Sequence, residues 1–267
     1  MFFSFSKKTY ARFYSFGLST SETFLKRQRI IRNKEWTAIE EFIPNGSKFL
    51  DIGCGRGHAL AMAASRKGCQ VVGVDPFPDK AGVVPELQDL NREFNIEEGF
   101  CEQLPFDDCS FDVVYSSHML EHTSDYPKSV SEMNRVLRPN GVVILGVPTA
   151  TMALIRLLSI ILFSTHRNII EIFRYPMRDP DWKKSHPLKH FLLPNSHGNP
   201  SKSVLYDLRD YRISKWKNRV GRIFDIQEVI LPALYNYPDF HQLFPIHRNW
   251  WLSSSVFLVA KKRQVDS

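Results

Sequence analysis

Three glycines spaced as Gly53-x-Gly55-x-Gly57, with Asp75 following the first by 22 residues, are the residues of this chain best suited to hold a small molecule. Glycine lets the backbone turn tightly and approach a ligand with no Cβ in the way. A carboxylate at the tip of the next apolar run, Val71-Val72-Gly73-Val74, can accept both hydroxyls of a ribose. The interval is close to the roughly 20 residues of a βαβ nucleoside site. The spacing also separates cofactors. A dinucleotide loop reads G-x-G-x-x-G, because a helix N-terminus must face a pyrophosphate. Here His58 stands where the third glycine of that pattern would be. A tight loop kept for packing alone would also explain the three glycines.

A second group is His118-Met119-Leu120-Glu121-His122. It matches the H-x-x-E-H string of a zinc peptidase class, but it follows a strand at the expected cofactor edge instead of lying mid-helix. His118, with an unperturbed pKa of about 6.5, suits a general base beside an acceptor. A packed or solvent-facing histidine is the plainer alternative. His186, His190, His197, His241 and His247 match no standard metal spacing and read as surface residues.

These groups need elements to position them. Residues 22–43 read as a helix with Trp36, Ile39 and Ile43 on one face, ended by Pro44-Asn45-Gly46. Strands are expected near 48–52, 70–74, 95–100, 111–116 and 141–147, and helices near 57–67, 84–92 and 124–138, with Pro139-Asn140-Gly141 stopping the last. Such alternation implies a parallel sheet with helices on both faces. After Pro148 the pattern breaks. Residues 152–163 form an apolar helix candidate, too short for the roughly 20 apolar residues that span a bilayer and interrupted by Arg156. Residues 164–220 are polar, basic and aromatic, with five prolines between 176 and 200. Phe224–Leu231 and Ser253–Ala260 read as two closing strands around an aromatic loop from Tyr235 to Trp251, and a loop of that length is usually functional or a lid.

The stretch from about Lys48 to Pro148 resembles the class I S-adenosylmethionine-dependent methyltransferases, specifically the type 11 methyltransferase-domain family. The resemblance is carried by Asp51-Ile52-Gly53-Cys54-Gly55-Arg56-Gly57, Glu102-Gln103-Leu104-Pro105-Phe106, Ser110 to Ser117, Leu120-Glu121-His122 and Met133 to Gly141, in the family's order. It implies a Rossmann-like seven-stranded, mostly parallel sheet whose last strand is antiparallel, and S-adenosyl-L-methionine as cofactor. It assigns Gly53, Gly55 and Gly57 to the methionine part of that cofactor, Asp51 to orienting the loop, and Asp75 to the ribose diol. Cys54, Pro76, Cys101, Glu102 and Ser116 complete the expected cofactor site. The family's acid for the adenine amino group is replaced by Phe100, so adenine is expected on backbone groups of Cys101 and Glu102 and on the Phe100 ring. Ubiquinone-pathway O-methyltransferases are similar near residues 118–122 and bind a divalent ion through two acids and a histidine. His118 replaces the first of those acids, which argues against a hard-cation site, so no metal is expected. Leu193-Pro194-Asn195-Ser196-His197-Gly198 loosely resembles a Pro-x-x-His-Gly turn of some methyltransferases in surface-glycan and lipid pathways.

Composition bounds the rest. A chain of 267 residues, 43% hydrophobic, suits one α/β domain with an elaboration. The expected division is a basic, aromatic arm and helix over 1–43, a cofactor-binding core over 44–150, an insertion over 151–222 that caps the acceptor, and closing strands over 223–267. The net charge is +7, with Lys7, Lys8, Arg12, Lys26, Arg27, Arg29, Arg32 and Lys34 preceding Glu35 against Glu22 alone. This arm suits nucleic acid, anionic lipid or an acidic substrate, or is a solvated face. Residues 152–163 and the N-terminus are read either as a lid and arm or as a peripheral membrane contact. No Asn/Asp-Pro-Pro-Tyr/Phe motif follows the fourth strand and no Pro-Cys nucleophile is present, which argues against nucleic-acid base methylation. Four cysteines without a C-x-x-C pair fit reduced thiols in a cytoplasmic protein. The N-terminus lacks a secretory h-region, although its Arg, Ser and aromatic content also fits a mitochondrial presequence. The expected function is methyl transfer to a small-molecule, glycan or lipid acceptor; the alternative is a non-catalytic S-adenosylmethionine-binding or scaffold protein of the same fold.

Overall fold

In the computed structural model the described residues are 21–78, 83–90, 94–163, 196–199, 201–235 and 252–263. Seven strands form one sheet: β1 Lys48–Ile52, β2 Gln70–Asp75, β3 Asn95–Glu98, β4 Phe111–Ser117, β5 Leu137–Pro148, β6 Phe224–Ile230 and β7 Ser255–Lys262. Their spatial order is β3-β2-β1-β4-β5-β7-β6. β1 to β5 pair in parallel, and β7 runs antiparallel to both β5 and β6. The order of strands reverses between β1 and β4. In an open α/β sheet a ligand binds at that switch point, outside the carboxyl ends of the strands.

Successive side chains of a strand point to opposite faces, and both faces here are buried. Leu50 and Ile52 of β1 and Val114 of β4 face one core, covered by α4 (Tyr126–Val136) through Val130 and Met133 and by α7 (Ile213–Val220) through Trp216 and Val220. Phe49, Val113 and Tyr115 face the other, covered by α1 (Ser21–Ile39) through Trp36 and Ile39 and by α2 (His58–Lys67) through Leu60 and Ala64. By strand alternation Asp51 shares the face of Phe49, the face that α1 covers.

Several elements differ from the sequence reading. The helix expected over 84–92 is a single turn, α3 (Pro85–Gln88), opened by Pro85 at its first position. β3 ends at Glu98, and Phe100 makes only an isolated bridge with Gln103. Helix α4 stops at Val136, before Pro139-Asn140-Gly141, and the chain enters β5 directly. Leu137 pairs with Phe111, and the register then shifts before Val142 meets Val113. Pro139 has no N–H to give the ladder, so residues 138–140 stand out as an exposed bulge. Two helices went unforeseen, α6 (Val204–Asp210) and α7.

The apolar segment expected from 152 forms α5 (Ala150–Phe163). Met152 and Ala153 are buried, whereas Leu154 and Leu158 are exposed. Among the described residues no helix is long and apolar enough to cross a membrane. The basic arm at Lys7, Lys8 and Arg12, the loop from 236 to 251, and His186, His190, His241 and His247 lie outside the described residues.

Candidate functional site

β1 delivers the chain to the switch point and the glycines turn it into α2. Gly53, Gly55 and Gly57 have φ of 75°, 49° and 78°, a region that favours glycine. The amides of Gly53 and Cys54 donate to Val74 O at 2.8 and 3.2 Å, tying the loop to the end of β2. A Cβ on Gly53 would lie 2.6 Å from Cγ of Met119, so the turn after β4 presses on the loop from the other side. A Cβ on Gly55 would meet nothing within 4 Å, so that side of the loop is open.

Asp75 closes the mouth of this cradle. Its Oδ2 accepts from Gly55 N at 3.0 Å and its Oδ1 from Phe77 N at 2.9 Å. An ionised carboxylate has about four acceptor sites, so each oxygen keeps one for a further donor. Pro76 and Phe77 continue the rim, with Phe77 exposed. Asp51 is buried at the back of the cradle. Burial first, and then the charge of Asp75, push its carboxyl up to about 8, against the opposing charge of Arg32. A crowded acidic pair of this kind suits a ligand that brings positive charge.

This arrangement sets a pH dependence. A cation that favours the Asp51 carboxylate must displace its proton at any pH below about 8. Affinity for a cationic cofactor is therefore expected to rise with pH towards 8, by at most about tenfold per unit, and then level off. Calorimetry at pH 7 in buffers of different ionisation enthalpy checks this: the heats should differ as for release of nearly one proton. Equal heats would mean that Asp51 is not linked to the ligand.

The remaining expected cofactor residues divide into rim and support. Cys54 is buried, and its thiol is held protonated by burial and by Asp51 and Asp75. Cys101 is also buried, with Sγ 3.2 Å from Ser129 Oγ, and burial pushes its thiol up to about 12. Glu102 turns its carboxylate to the start of α4, where Oε1 accepts from Ser124 N at 3.0 Å and Ser124 Oγ at 2.9 Å. What this segment leaves for an adenine is its backbone and the exposed Phe100 ring. The Ser116 hydroxyl donates to Ile52 O at 3.0 Å and is buried, so it joins β4 to β1 behind the cradle.

Beside the cradle lies a buried polar cluster that the sequence did not announce. Glu35 of α1 is fully buried. It accepts from Arg32 Nη1 at 2.8 Å, from Tyr235 Oη at 2.8 Å and from Ser255 Oγ at 2.8 Å. His118 Nε2 stands 3.3 Å from both Glu35 Oε1 and Tyr235 Oη. Arg32 Nη1 also donates to Ser117 Oγ at 2.9 Å. Burial alone would raise the Glu35 pKa; the charge of Arg32, and then His118 and Ser255, hold it well below the carboxylate range. His118 has φ of 54°, unusual for a residue with a Cβ. Its Nδ1 lies 3.6 Å from Glu121 Oε1, a charge contact too long for a hydrogen bond. Burial would lower the His118 pKa, but Glu121 and Glu35 together raise it. Both ring nitrogens thus face carboxylates. The base role read from the sequence requires one of them to turn away.

A second turn docks here. Ser196 Oγ and His197 N bind the two oxygens of buried Asp207 on α6, the latter at 2.7 Å. Gly198 packs so closely on the carbonyl of Glu121 that no side chain fits. His197, expected at the surface, is mostly buried, and its Nε2 lies 3.8 Å from Glu121 Oε1. Burial, and then the nearby His122, push its imidazole down to about 3, keeping it neutral.

Residues 50–145 match the family described as "Methyltransferase domain". An uncharacterized methyltransferase from Mycobacterium sp. (strain JLS) is 38% identical over 111 residues, 42% of either chain. A sterol 24-C-methyltransferase from Pneumocystis carinii (strain B80) is 31% identical over 139 residues, which is 48% of this chain and 37% of that one. The chain therefore spans less than half the length of these curated relatives. In fold it is similar to the solved structure of an S-adenosylmethionine-dependent methyltransferase from Thermotoga maritima, described as a possible histamine N-methyltransferase, with a TM-score of 0.55 at 17% identity over 91% of this chain and 94% of that one.

Proposed function

With residues 50–145 a methyltransferase domain of this family, we propose that the chain binds S-adenosylmethionine in the glycine cradle and transfers its methyl group to a small-molecule, glycan or lipid acceptor. The observation that carries this is the cradle itself: a loop open at Gly55, closed by Asp75 and backed by buried Asp51. When bound, the cofactor supplies a methyl on a sulfonium, ready for in-line displacement. Asp75 holds the ribose, the Asp51 carboxylate balances the ligand's positive charge, and Phe100 offers a face for the adenine. Arg32, which donates to Ser117 at the end of β4, would meet the cofactor's carboxylate. With His118 clamped between Glu35 and Glu121, transfer in this conformation suits an acceptor atom that is nucleophilic without losing a proton to the protein.

The curated sterol methyltransferase among the relatives supports a lipid-like acceptor, and so do the exposed Leu154 and Leu158 on α5. Labelled-methyl transfer in fractionated lysate tests the reading. Label is expected in a lipid, glycan or small-molecule fraction. Label confined to nucleic acid or protein would refute the acceptor class, and cofactor binding without any transfer would favour a binding protein. Co-sedimentation with anionic vesicles tests the peripheral reading; no sedimentation at low salt would eliminate it.

A further inference from the structure

Glu121, His122 and His197 meet beside the cradle, and methyl transfer as proposed above gives the two histidines no part and Glu121 only its contact with His118. Their ligand atoms all lie within 4.8 Å of one another. Glu121 Oε1 is 3.9 Å from His122 Nε2 and 3.8 Å from His197 Nε2. The two rings stand edge to face with centroids 4.9 Å apart. The Glu121 side chain is wholly buried, yet neither of its carboxylate oxygens has a hydrogen-bond partner among the described residues. A buried carboxylate without hydrogen bonds is costly unless something of opposite charge meets it. Among the described residues the groups within 4 Å that do so are the imidazoles of His118, His122 and His197.

We propose that Glu121, His122 and His197 form a binding site for a divalent transition-metal cation of the zinc type. Two imidazole nitrogens and one carboxylate oxygen suit a borderline cation, whereas magnesium and calcium prefer oxygen donors throughout. Three protein ligands leave further positions open, as in sites that take a water or a substrate atom. Donors around tetrahedral zinc stand roughly 3.3 Å apart, given bonds near 2.0–2.1 Å, so each histidine nitrogen closes on the Glu121 oxygen by about 0.5 Å, and the two nitrogens on each other by at most about 1.5 Å. The partly exposed His122 marks the side from which an ion enters. His118 stays outside this set: its Nε2 is engaged by Glu35 and Tyr235, and its Nδ1 faces Glu121 but does not lie within 4.8 Å of all three ligand atoms. The third donor comes from 75 residues further along the chain, held by Asp207 and by the fit of Gly198 on Glu121. No spacing in the sequence marks it, and the proposal departs from the sequence expectation of no metal.

The test uses the full chain, freed of metal with a chelator and titrated with zinc chloride by calorimetry, then with cobalt chloride followed by visible absorption. One equivalent should bind saturably, and magnesium should give no saturable heat. Glu121→Gln and His197→Ala should each weaken zinc binding by more than about a hundredfold. Should either variant fold poorly by circular dichroism, His122→Asn, which alters a partly exposed ring, carries the same expectation. No saturable zinc binding to the wild type, or unchanged affinity in the folded variants, overturns the site. S-adenosylmethionine titrated into the same samples keeps the two readings apart, because cofactor binding without zinc binding overturns the metal site alone.

Discussion

Replacing Glu35 by alanine is expected to destabilise the fold by about 3–5 kcal/mol, the usual consequence of removing one member of a buried charge pair. The carboxylate is fully buried and accepts from Arg32, Tyr235 and Ser255. Without it, two buried hydroxyls lose their acceptor and Arg32 its counter-charge. A loss of this size is a large part of a typical domain stability of 5–15 kcal/mol. Glu35→Gln keeps the shape and one acceptor oxygen and should cost less. Urea denaturation of the three proteins measures this. A loss below about 1 kcal/mol for Glu35→Ala would show that the cluster is more hydrated than its burial indicates.

Asp75→Ala is expected to weaken S-adenosylmethionine binding about ten- to a hundredfold while leaving the protein folded. A charge-assisted hydrogen bond contributes about 1.5–3 kcal/mol, which converts to that range of affinity. The same carboxylate also accepts from the amides of Gly55 and Phe77, so the variant loses part of the loop's restraint as well. Calorimetry with the cofactor, together with a thermal melt, separates binding from folding. Unchanged affinity in a folded variant would show that Asp75 does not hold the ribose.

What was legible in the sequence was local. β1, β2 and β4, the glycine turn and Asp75 are written in apolar runs with glycine punctuation, and these signals act over a few residues. The closing pair β6 and β7 was readable in the same way. The polar cluster was not, because its members come together across 83 residues for His118 with Glu35, 200 for Tyr235 and 220 for Ser255. One hint was present: Glu35 lies on the helix face of Ile31, Trp36 and Ile39, and a charge on an apolar face is buried only with partners. Helix α7 also had its signal in Ile213, Trp216 and Val220, obscured by the prolines and basic residues before it. His197 carried no signal of its own. Its burial follows from Asp207 holding the turn, which only tertiary structure shows.

The most direct test of the cofactor assignment is calorimetric titration of the purified chain with S-adenosylmethionine, with NAD as the comparison ligand. The cradle at Gly53, Gly55 and Gly57, closed by Asp75, predicts one saturable site for S-adenosylmethionine and no saturable heat with NAD. No saturable binding of S-adenosylmethionine, or saturable binding of NAD in its place, would contradict it.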